Sequence, residues 1–129
     1  MTHLMMIAAG GAAGALSRHW LVNVVNTISH ERWQLAGFPV GTLMVNIIGS
    51  FCIGIMYVLI TERLAIHADW RNVAVVGFLG AFTTFSTFSL DTVILLENGQ
   101  LMQAAFYTLA SVCVCMLVTW LAISIARVV

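Results

Sequence analysis

The sequence predicts an all-α membrane protein with four transmembrane helices, the third broken at its middle, and three observations predict it. Of the 129 residues 61% are hydrophobic, 8% are charged, and none is lysine, with a mean hydropathy of +1.02. A soluble chain carries about a quarter Asp, Glu, Lys and Arg, so ten charged residues cannot keep an ordinary domain in water. The apolar residues fall into four runs, each near the roughly 20 residues that a spanning helix needs. One of those runs is crowded with Gly, Thr and Ser, which disfavour an unbroken helix. Four spans of about 23 residues occupy most of the chain, so residues 1–129 form a single four-span domain with no room for an extramembrane one.

The first span, Leu4 to Asn26, opens without a basic segment and runs on through Arg18 and Trp20, so it reads as a span rather than a cleaved signal peptide. Gly10 and Gly14 form a GxxxG pair for close helix approach. Arg18 lies towards the end of this run, where it can snorkel to headgroups or stand at a pore vestibule. The second span, Val40 to Thr61, carries Thr42, Asn46 and Ser50 four residues apart on one helical face. Asn46 offers two N–H donors and an acceptor without a charge to desolvate. Either helix association or a polar pathway would use it.

In the third span, Asn72 to Leu96, the stretch Gly77 to Ser89 reads GFLGAFTTFSTFS. A break is expected near Gly80 to Thr83, and unwound backbone at membrane depth must be buried or line a cavity. Its freed carbonyls suit a small cation such as Na⁺. Phe85 and Phe88 then share a face of the second half-helix, and the positive edge of a phenyl ring can meet an anion without a full charge. The fourth span, Met102 to Ala126, repeats the polar stripe with Tyr107, Ser111, Cys115 and Thr119. Neither stripe contains a carboxylate or an ammonium, which speaks against a proton-coupled transporter.

The linkers hold most of the charge, at His30, Glu31 and Arg32, at Glu62, Arg63, Asp69 and Arg71, and at Glu97, with Trp33 and Trp70 at expected headgroup level. Arg63, Arg71 and Arg127 fall on the side of the termini and Arg32 on the other, joined by Arg18 if it snorkels there. So small a bias leaves open whether all copies point one way or opposed copies pair about a two-fold axis in the membrane. Net charge is zero, leaving no basic face for nucleic acid. Cys52, Cys113 and Cys115 lie in apolar runs without metal-ligand spacing, and no nucleophile–base constellation or phosphate loop suggests an enzyme.

The run GFLGAFTTFSTFS, with GGAAGALSRHW in the first span and GTLMVNIIGSF in the second, resembles the Fluc (CrcB) family of bacterial fluoride channels over almost the whole chain. The resemblance implies an antiparallel dual-topology homodimer in the inner membrane, with two fluoride pores lined by both subunits and passive efflux of cytoplasmic fluoride that confers fluoride resistance. It implies Phe85 and Phe88 as the paired pore phenylalanines with Asn46 beside them, and Thr42, Tyr107 and Ser111 in the polar track. The carbonyls of Gly80 and Thr83 would hold a structural Na⁺ on the dimer axis, and Arg18 matches the arginine that closes the first-span motif. Ala81 departs from a frequent glycine, Cys115 from a serine and Asp91 from a glutamate. The alternatives are a small dual-topology proton-coupled multidrug exporter, for which Asp91 is the one candidate carboxylate within a span, and a non-transporting scaffold subunit.

Overall fold

All four expected spans are helical in the computed structural model, which describes residues 2–33, 37–63 and 68–129. Helix α1 covers Thr2–Trp33. Helix α2, Val40–Val58, runs on into a wider π-wound turn at Leu59–Arg63. The third span begins as α3, Ala68–Arg71, continues π-wound through Asn72–Leu79 and closes its first half as α4, Gly80–Phe82. Its second half is α5, Phe85–Glu97. The last span is α6, Leu101–Val128. The headgroup position expected of Trp33 and the charges of Arg32 and Asp69 concern side chains outside the described residues.

Among the described residues three stretches are long and apolar enough to cross a membrane, Val40–Arg63, Asn72–Glu97 and Leu101–Val128. Helix α1 is long enough at 32 residues, about 48 Å at 1.5 Å per residue, but glycine, alanine, Arg18 and His19 dilute its hydropathy. It also extends past Asn26 to Trp33. Arg18 therefore sits half-buried near the middle of this helix.

Small residues explain how α1 packs. Gly10 and Gly14 are buried against the π-wound stretch, where a Cβ on Gly10 would stand 2.6 Å from the Val73 carbonyl oxygen and one on Gly14 would strike that of Phe78. From the other side, a Cβ on Gly77 would come within 2.7 Å of the Ile7 oxygen. The GxxxG pair thus seats the first half of the third span on α1. Helix α2 meets α6 through Gly54, whose added Cβ would lie 2.7 Å from the Thr119 carbonyl oxygen, and the Thr119 hydroxyl donates to the Ser50 and Cys115 carbonyls at 3.1 and 2.9 Å. At the end of the fold that holds the C-terminus, Arg127 grips Glu62 with 2.6–3.1 Å contacts, and Arg63 donates to the Arg127 carbonyl at 2.8 Å. Arg63 and Arg127 therefore do share one side, as their loop positions require.

The break falls slightly later than Gly80–Thr83. Gly80 keeps helical dihedrals (φ −62°, ψ −34°), and the extended residues are Thr83 (φ −82°, ψ 156°) and Thr84 (φ −150°, ψ 116°). Glycine permits a bend but does not compel one; the turn-out occurs where side chains capture the backbone groups that a helix would have used. The Thr83 amide and hydroxyl both donate to the Leu79 carbonyl at 3.0 Å, closing α4. Thr84 then caps α5, its hydroxyl accepting from the Thr87 amide at 3.2 Å.

Because backbone faces backbone at Gly14, neither side can yield. Gly14→Leu is expected to cost at least about 1–3 kcal/mol of stability, read as a lower melting temperature in detergent. Gly11→Ala, whose added carbon meets only the Gly77 oxygen at 3.9 Å, should melt like the parent.

Candidate functional site

Polar groups gather where the third span leaves its helix. The Thr84 amide donates to Asn46 Oδ1 at 2.9 Å, and Asn46 Nδ2 donates to the Thr84 carbonyl at 3.1 Å. One carboxamide from α2 thus pairs with both polar groups of a single residue, as a neighbouring strand would, and meets the demand that backbone at membrane depth be satisfied. Gly49, one turn on, lets the break approach, since a Cβ there would run into the Thr83 methyl group.

The same pairing leaves carbonyls without their helical donors. In an uninterrupted helix the Gly80 oxygen would accept from the Thr84 amide and the Thr83 oxygen from the Thr87 amide. Here the first amide goes to Asn46 and the second to the Thr84 hydroxyl. Gly80 and Thr83 both line an open groove of about 440 Å³ beside the break. Neutral carbonyl oxygens suit a small monovalent cation better than Mg²⁺ or Ca²⁺, which draw carboxylates. Among the described residues no three His, Cys, Asp or Glu side chains come together.

Asn46, Phe85, Phe88 and Ser111 line this groove with Gly80 and Thr83. Among the described residues no charged side chain does. Phe85, at the first turn of α5, is 77% exposed, whereas Phe88 one turn on is 9% exposed, and their ring centroids lie 5.4 Å apart at 46°. Ser111 is buried, and its hydroxyl has no hydrogen-bond partner among the described residues. A buried unpaired hydroxyl is costly in an apolar setting, so it marks a place where a polar visitor would be stabilised.

Thr42 and Tyr107 are not on the groove lining but behind it. Tyr107 is fully buried, 5.3 Å from the Phe88 ring and edge-on to Phe38 at 5.6 Å. Its hydroxyl points to Asp91 Oδ2 at 3.4 Å, with Thr42 beside the same hydroxyl. Phe88 thus packs on the ring of a tyrosine whose hydroxyl faces two polar side chains. Arg18 does not line the groove.

Residues 5–123 match the family model described as CrcB-like protein, Camphor Resistance (CrcB). The chain belongs to the CrcB family. It is 46% identical over 124 residues to the fluoride-specific ion channel FluC of Methylococcus capsulatus, an alignment covering 96% of this chain but 52% of that protein, about half its length. Proteins of the same name from Hahella chejuensis and Magnetococcus marinus are each 42% identical, over 98% and 95% of this chain and 96% of each relative. These CrcB-family relatives are named as ion channels, not enzymes. Of the departures from the family motif, Cys115 lines the groove and Asp91 reaches Tyr107, whereas Ala81 is half-buried in α4.

Two contributors escaped the sequence reading. Thr84 pairs with Asn46 through its backbone, which carries no signal of its own, although its hydroxyl is of the type that caps a helix. Asn26 accepts from the Gly41 amide at 2.8 Å across the first hairpin; the hint was the sequence Phe38-Pro39-Val40, which gives α2 no capping side chain.

Since Asn46 satisfies two backbone groups at once, Asn46→Leu keeps the branching of the side chain and removes both bonds. The expected loss is about 1–3 kcal/mol of stability for the stranded groups, measured by thermal unfolding of the purified protein against wild type.

Proposed function

We propose that this CrcB-family chain is a fluoride-selective channel that lets cytoplasmic fluoride leave the cell passively, and that it sits in the inner membrane of a bacterium. The observation that carries the reading is the groove at the break, lined by a carboxamide, hydroxyls and phenyl rings and, among the described residues, by no charged side chain. Fluoride holds its water strongly, so a selective path must replace that water with several close donors. An amide N–H, hydroxyls and ring edges supply them without the fixed charge that would trap the ion, and conduction needs sites that release. With the cell interior negative, each departing charge moves downhill by about 2.3 kcal/mol per 100 mV. The names carried by the relatives from Methylococcus, Hahella and Magnetococcus point to the same ion.

The functional unit is an antiparallel homodimer with two pores. Hydroxyls and freed carbonyls on an open groove are poorly placed against lipid, and a second copy of the chain would cover them. The small arginine bias between the two sides permits insertion both ways up. Phe85 and Phe88 would present ring edges to the ion, with Asn46 and Ser111 as donors and Thr42 and Tyr107 supporting Phe88 and extending the polar track. Arg18 is assigned to the vestibule. The carbonyls of Gly80 and Thr83 from two opposed copies would hold a structural Na⁺. That ion would tie the two breaks together and so hold the phenylalanines in place.

Fluoride efflux from liposomes containing only this protein, with chloride as control, tests the function. Phe85→Ile and Phe88→Ile keep bulk but lose the ring quadrupole, and each should reduce fluoride flux at least about tenfold while the dimer still elutes as a folded species. Unchanged flux in both returns the rings to packing. For the assembly, a single cysteine added at a terminus of a chain stripped of its native cysteines should label half from each side of the membrane, and labelling from one side alone rejects opposed insertion. Withdrawing Na⁺ should slow fluoride flux, whereas a Na⁺ gradient should not drive it; uphill transport on such a gradient would make the protein a symporter.

A further inference from the structure

Helix α2 starts without a cap of its own. Its N-cap residue is Pro39, with no side-chain cap and no acidic residue in the first turn. Two of its first amides find nearby carbonyls, Val40 donating to Phe38 at 2.8 Å and Leu43 to Pro39 at 3.2 Å. The Gly41 amide instead donates to Asn26 Oδ1 of α1 at 2.8 Å. Glycine is needed for that reach, because a Cβ at Gly41 would lie 2.7 Å from Asn26 Oδ1 and 2.8 Å from the Val22 oxygen. A single polar bond across a tight backbone contact therefore fixes the height and rotation of α2 on α1.

Asn46 lies five residues further along, about 7.5 Å up the axis and about 140° around it. Holding one face of α2 against α1 thus sets where Asn46 emerges on a nearly opposite face, towards Thr84. The other member of that pair is referenced to the same helix, since Gly14 of α1 seats against Phe78, shortly before the break. Both halves of the clamp are measured from α1. We propose that Asn26 is a positioning residue for the break in the third span, acting through Gly41 and α2 on the pairing of Asn46 with Thr84, and hence on the groove. Its effect on ion flux rests on the channel reading above; its effect on the clamp does not.

Amide hydrogen exchange of the purified protein, resolved by residue with NMR, reads the clamp directly. In Asn26→Leu the Gly41 and Thr84 amides should both exchange about fivefold faster, the change expected for a lost cap. Asn26→Asp keeps an acceptor that a helix N-terminus favours and should bring both back to within about twofold of wild type. Thr27→Val removes a hydroxyl that donates to the Asn23 carbonyl of its own helix and should leave both amides unchanged. If Asn26→Leu does not fold, Asn26→Ala reads the same pair. Fluoride efflux should fall with the rise in Thr84 exchange and recover in Asn26→Asp. Faster exchange at Gly41 with Thr84 unaltered makes Asn26 a local cap and overturns the proposal, as does no change at either amide or a failure of Asn26→Asp to restore Thr84. A wild-type protein that passes no fluoride sinks the channel reading, while the two amides still decide the role of Asn26.

Discussion

A peptide group that leaves its helix inside a membrane has lost its partners and finds no water to replace them, and in this protein the carboxamide of Asn46 answers that loss. It gives one donor and takes one acceptor from Thr84, so the third span can turn through two extended residues and restart. The rest of the site follows from this contact. The amides drawn to Asn46 and to the Thr84 hydroxyl are those that Gly80 and Thr83 would have bonded in an unbroken helix, and their diversion leaves those two carbonyls without their helical donors. The restart at Phe85 sets the two phenyl rings one turn apart, one in the open and one against Tyr107.

The packing around the clamp is arranged to bring backbones close. Gly49 admits the break to α2, Gly10 and Gly14 admit the π-wound stretch to α1, Gly41 admits the hairpin contact, and Gly54 admits α6. In lipid, helices gain little from burying apolar surface against one another, and close van der Waals contact with interhelical hydrogen bonds takes over that role. Asn26, Asn46 and Thr119 supply those bonds, at 2.8 to 3.1 Å. All three are neutral. A structure held by uncharged donors and acceptors can also carry a groove of uncharged polar groups, because neither needs a buried charge to be neutralised.

Most of the architecture was legible in the sequence. The four apolar runs located α1, α2, the third span and α6, and the spacing of Gly10 and Gly14 marked the face that α1 packs. The density of Gly, Thr and Ser after Gly77 announced a broken helix, since those residues lower helix propensity wherever they stand. The exclusion of charge from the polar stripes also came from the sequence, because it is a matter of which residues are absent. The resemblance of GFLGAFTTFSTFS to one family pointed to the ion proposed for the groove.

Where the break falls, and what holds it, came only from the folded chain. Local propensity marks Gly80 as the weakest helical residue, yet Gly80 is helical and the chain turns out at Thr83 and Thr84, because a partner 38 residues away in sequence sits opposite Thr84. The division of the polar track has the same origin. Periodicity puts Thr42 in line with Asn46, and Tyr107 with Ser111, but it cannot say which of them faces the groove and which stands behind Phe88. The length of α1 beyond Asn26 was hidden because its last turns are polar and carry no apolar period. Sequence patterns record what each residue prefers along its own helix; the meeting of a side chain with another helix's backbone depends on the axial height and rotation of both, which exist only once they are packed.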